Sequence, residues 1–86
     1  MPVIMCDINL GVLQQTVYHI TESEARPVSN VPLDYLNEII PSMCYNLNTY
    51  NVRLRGNKEY INGLIEQIHN FEINLYGKNK INIEVM

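Results

Sequence analysis

The chain has 86 residues, nine of them acidic and six basic, with a formal net charge of −3. That length suits a single domain over residues 1–86, one that buries roughly 60–65% of the surface its unfolded form exposes. So few basic residues argue against general nucleic-acid binding, and the scattered acids do not build a DNA-mimicking face.

No apolar run approaches the ~20 residues needed to span a bilayer. Pro2 to Ile8 is too short for a signal peptide, and no Lys or Arg precedes it. The expectation is a soluble, cytoplasmic protein without a membrane partner. Cys6 and Cys44 are too few for a disulfide framework. Each lies on an apolar stretch, so both are expected to be buried free thiols.

Val3 to Ile8 is apolar at nearly every position and predicts a strand buried on both faces. Asn9-Leu10-Gly11 then reads as a tight turn. Val12 to Ile20 reads as a second strand, because Thr16, Val17, Tyr18 and Ile20 are branched or aromatic. Leu10, Leu13, Val17 and Ile20 also fall at helical spacing behind Asn9, so a helix is the competing reading there.

Thr21 to Asn30 is polar, carries Arg26-Pro27 and reads as an exposed loop. Pro32 suits a first helical turn, with Leu33, Leu36, Ile40, Met43 and Cys44 lining one face of the helix that follows. Pro41 removes a backbone donor and should kink or end that helix.

Tyr50, Val52 and Leu54 alternate with Asn51, Arg53 and Arg55, the mark of a half-buried strand. Asn57 caps a long helix with the apolar stripe Tyr60, Ile61, Leu64, Ile65, Ile68, Phe71 and Leu75, which Gly77 terminates. Ile81, Ile83 and Val85 then alternate with Asn82, Glu84 and Met86 in a last strand. The expected fold is a two-layer α/β (α+β) domain of order β-β-α-β-α-β. A mixed four-stranded sheet carries two helices and ends in a right-handed parallel β-α-β unit.

The polar faces of the last two strands imply that one side of the sheet carries no helix. The first strand is apolar on both sides, so Val3 and Met5, or else Ile4, Cys6 and Ile8, need a second chain to cover them. A homo-oligomer with Val3, Ile4 and Met5 at its interface is the expectation.

Arg53 and Arg55 share one strand face, and Lys58 follows on the first helical turn. With the N–H groups near Gly56 and Asn57 they form a candidate site for a phosphate or carboxylate, at the strand end where open α/β sheets hold ligands. The competing reading makes the arginines surface charges, one of them paired with Glu84 on the neighbouring strand. His19 and His69 lie at no zinc-ligand spacing, and no triad or glycine-rich phosphate loop is present. No cofactor is implied. The six tyrosines offer contact surface at an interface.

Three resemblances bear on function. Pro2-Val3-Ile4, if Met1 is removed, resembles the opening of the tautomerase superfamily. That likeness implies a proline general base with arginines holding a substrate carboxylate, and a long helix after the first strand. Asp7 at the end of a strand, with Gly11 soon after, resembles the start of an RNase H-like or actin-like fold. The nuclease version implies Asp7 among several carboxylates holding Mg²⁺, while the phosphate turn of the actin version wants glycine where Asn9 stands.

The stretches Val52 to Tyr60 and Asn79 to Val85, with abundant Asn and Ile, resemble short proteins encoded by phages and prophages of AT-rich Gram-positive bacteria. That resemblance implies no set activity. The leading functional expectation is a non-catalytic binding protein, acting as a homo-oligomer on a protein partner or small anionic ligand, with interference in host defence as a fitting role. A tautomerase-like enzyme and a ligand-free structural accessory protein are the alternatives.

Overall fold

A computed structural model describes residues 2–86. Five strands and two helices follow in the order β1 (Val3–Ile8), β2 (Gln14–Ile20), β3 (Ala25–Pro32), α1 (Leu36–Asn46), β4 (Asn51–Gly56), α2 (Lys58–Tyr76) and β5 (Asn82–Val85). The sheet order is β3-β2-β1-β4-β5. β1 pairs antiparallel with β2 and β2 with β3, whereas β1–β4 and β4–β5 are parallel. β2 therefore runs against the other four strands.

The hairpin reading of residues 9–20 holds, and its turn has a clear physical cause. Asn9 Oδ1 accepts the Gly11 N–H at 2.9 Å, and the buried Gln15 side chain grips the turn from beneath. Gln15 Nε2 donates to the carbonyls of Asn9 (2.9 Å) and Val12 (3.1 Å), and its Oε1 accepts the Asn9 N–H at 2.7 Å. A buried amide is tolerated where its donors and acceptor are all used.

The loop expected over Thr21–Asn30 is corrected. Residues 25–32 are a third strand on the sheet edge, so the sheet has five strands and the order is β-β-β-α-β-α-β. Pro27 faces Tyr18 beside an irregularity at Val17/Tyr18, and edges and bulges are where proline's missing donor is tolerated. Thr16 Oγ1 also donates to Asn30 Oδ1 at 3.0 Å across this pair.

Pro32 ends β3 instead of opening a helix, and a 3₁₀ turn over Leu33–Tyr35 leads into α1. Pro41 lies inside α1, which runs on to Asn46.

The core lies between the sheet and the two helices. Ile4, Cys6 and Ile8 from β1 meet Val17, Val31, Val52 and Leu54 from neighbouring strands, and Leu36, Ile40, Cys44, Ile61, Leu64 and Ile68 from the helices. Ile4 is wholly buried there, so of the three expected interface residues only Val3 and Met5 stay on the sheet's other face. Asn57 Oδ1 accepts the Tyr60 N–H at 2.9 Å to cap α2. Gly77 closes the helix with a left-handed φ of 77°, which glycine adopts without a β-carbon clash. Among the described residues no helix is long and apolar enough to cross a membrane.

Candidate functional site

Two regions concentrate chemistry, the helix-free face of the sheet and a cleft at the start of β4 and β5. The open face follows from strand alternation. Register places Met5 beside Arg53 and Asp7 beside Arg55, with Glu84 beyond Arg53 on β5.

Arg55 makes a two-pronged pair with Asp7, its Nε at 2.5 Å from Oδ1 and its Nη2 at 2.8 Å from Oδ2. Arg53 Nε reaches Glu84 Oε2 at 3.3 Å. The hydrogen bonds from Arg55 hold the Asp7 carboxyl below its usual range, an effect that partial burial opposes and the guanidinium charge reinforces. Beside these pairs Val3, Met5, Tyr18 and Ile20 are half-buried.

The five residues of the proposed anion cluster are thus divided. Arg53 and Arg55 lie on the open face and pair with carboxylates. Gly56, Asn57 and Lys58 form the junction of β4 with α2, where Asn57 spends its side chain on the helix cap and Lys58 is exposed.

Asp7 meets a guanidinium where the nuclease resemblance implies further carboxylates, and both of its oxygens are used. Among the described residues no three His, Cys, Asp or Glu side chains gather so as to hold a metal ion. The tautomerase likeness implies a helix after β1, and an antiparallel strand follows instead.

The cleft went unnoticed in the sequence. It measures about 320 Å³ and is lined by Pro2 and residues 48–51, together with Lys80 and Asn82. Thr49 Oγ1 is buried and donates to the Pro2 carbonyl at 2.8 Å, which ties the start of β1 to the start of β4. The Lys80 ammonium lies 4.8 Å from the Tyr76 ring centre and 5.4 Å from that of Tyr50, within range of attraction to their π faces.

Glu72 fixes this corner. It is fully buried on α2 and accepts the backbone N–H groups of Lys80 and, at 2.5 Å, of Ile81. His69 Nδ1 lies 3.1 Å from its other oxygen. Tyr76 donates its hydroxyl to the Pro41 carbonyl at 2.6 Å. Burial, with nearby Cys44, Tyr50, Glu72 and Tyr45 adding to it, pushes that phenol up to about 12. One signal for this corner was legible: Glu72 continues the spacing of Ile61, Leu64 and Ile68, a carboxylate on an apolar stripe.

No protein-family model matches the sequence, and no curated protein is similar enough to it to count as a relative.

Proposed function

We propose that the protein is a non-catalytic binding protein that self-associates through the open face of its sheet. The observation that carries this reading is the make-up of that face. An apolar strip of Val3, Met5, Tyr18 and Ile20 lies beside two opposed ion pairs, Arg55–Asp7 and Arg53–Glu84.

A face of one sign would repel its own copy. Two guanidinium and two carboxylate groups cancel, so a copy turned about a two-fold axis can set arginine against acid. Size agrees as well. The molecule's broad side extends 33 × 31 Å, room for the roughly 800 Å² per partner of a standard interface.

Sedimentation tests the reading directly. The chain should sediment with the mass of two or more copies, and Met5→Glu should return it to one. A single-copy mass at every concentration, with the Met5→Glu variant indistinguishable, would remove the proposal.

A further inference from the structure

The cleft at the start of β4 and β5 has a composition that selects its ligand. Its one charged side chain is Lys80. Among the described residues no carboxylate lies within ion-pair distance of that ammonium, and its two close neighbours are tyrosine rings. Ring faces attract a cation but accept none of its N–H groups in the manner of an oxygen.

Glu84, four residues on, is the nearest acid in sequence and pairs with Arg53. Glu72, on α2, has its oxygens turned to the Lys80 and Ile81 backbone and to His69. The same contacts hold the Lys80 backbone against α2, so the cation is positioned before anything binds.

The remaining polar lining adds donors. Asn48 and Asn82 line the cleft, and Asn82 Nδ2, which carries two N–H groups, reaches Asn51 Oδ1 with one of them at 3.5 Å. Asn48 holds a positive φ of 54° as the residue that closes α1, its N–H and that of Thr49 bonding back to the carbonyls of Tyr45 and Cys44. A cleft of about 320 Å³ is at the small end of the ~300–1,000 Å³ typical of ligand sites.

We infer that this cleft binds a small, singly charged carboxylate, its oxygens against the Lys80 ammonium and the Asn48 and Asn82 amides. One cation matches one negative charge, whereas a phosphate dianion would leave a charge unpaired. The site is separate from the Arg53–Lys58 cluster. It goes beyond the self-association reading and does not depend on it.

The test is a titration of ¹⁵N-labelled protein with sodium acetate and sodium butyrate, followed by amide chemical shifts, with sodium phosphate and sodium chloride at matched ionic strength. The carboxylates should give saturable shifts at Thr49, Tyr50, Lys80 and Asn82, with dissociation constants of about 1–10 mM. Lys80→Met, which keeps the aliphatic stem against the rings, should weaken binding at least tenfold, and Asn82→Ala several-fold.

Four results would overturn the inference. They are linear shifts that chloride reproduces, unchanged binding in Lys80→Met, tighter binding of phosphate at the same amides, and shifts centred on Arg53, Arg55 and Lys58.

Discussion

Gly56 lies against Ile8 so closely that a β-carbon built on it would meet the Ile8 carbonyl oxygen at 2.5 Å. The two residues are register partners at the end of the parallel β1–β4 pair. Gly56 also holds φ at +140°, which side-chain-bearing residues rarely adopt. Gly56→Ala therefore strains the backbone and forces the strands apart at once. It should lower stability by roughly 2–5 kcal/mol, a large share of the ~5–15 kcal/mol typical of a domain. Chemical denaturation measures this. An unchanged midpoint would mean that the close approach carries no structural weight.

Buried Glu72 serves as the clamp of the α2–β5 connection. Glu72→Leu fills similar space but leaves the Lys80 and Ile81 N–H groups without their acceptor. Each unpaired buried donor costs about 1–3 kcal/mol, so a loss of roughly 2–6 kcal/mol is expected. Glu72→Gln retains one oxygen acceptor and should lose less. Amide hydrogen exchange gives the sharper readout. The Lys80 and Ile81 amides should exchange much faster in Glu72→Leu, whereas equal rates in both proteins would show that the clamp does not hold them.

Those two residues also mark how far the sequence could be read. Strict alternation in Tyr50–Arg55 and the stripe from Ile61 to Ile68 each have one dominant period, and the structure places β4 and α2 there. β3 escaped because Arg26-Pro27 and its polar neighbours carry the chemistry of a loop. Only pairing with β2 makes residues 25–32 a strand, and only an edge position lets Pro27 stay.

The same divide runs through the candidate sites. Arg53 opposite Glu84 needs nothing beyond the register of two adjoining strands. Asp7 with Arg55 needs β1 inserted beside β4, across 48 residues of sequence. Lys80 over Tyr50 and Tyr76 depends on three elements meeting at one corner, which no local pattern encodes.

Cys6 and Cys44 are both free and fully buried. Burial pushes each thiol up to about 12, with the Asp7 carboxylate adding to the effect at Cys6 and Glu72 at Cys44. At pH 8 only roughly one thiol in ten thousand is then the reactive thiolate, and access is closed as well. A chromogenic disulfide reagent should find neither thiol in the native protein and both in denaturant. Prompt reaction of one thiol under native conditions would show that its side of the core opens readily.

The Asp7–Arg55 pair gives stability a dependence on acid. Its hydrogen bonds, aided by the guanidinium charge, lower the folded-state pKa of Asp7 from an ordinary value of 3.8. The unfolded chain therefore takes up a proton at higher pH than the folded one. The stabilisation is complete above the ordinary value and is lost as pH falls through the lowered one. The window lies below about pH 4, and the effect is modest because both side chains are well exposed and screened. Arg55→Gln should return the Asp7 carboxyl towards its ordinary range and flatten this part of the stability profile. Carbon-detected titration of the Asp7 carboxyl in both proteins measures the shift directly. Identical midpoints would mean that the two-pronged contact is not kept in solution.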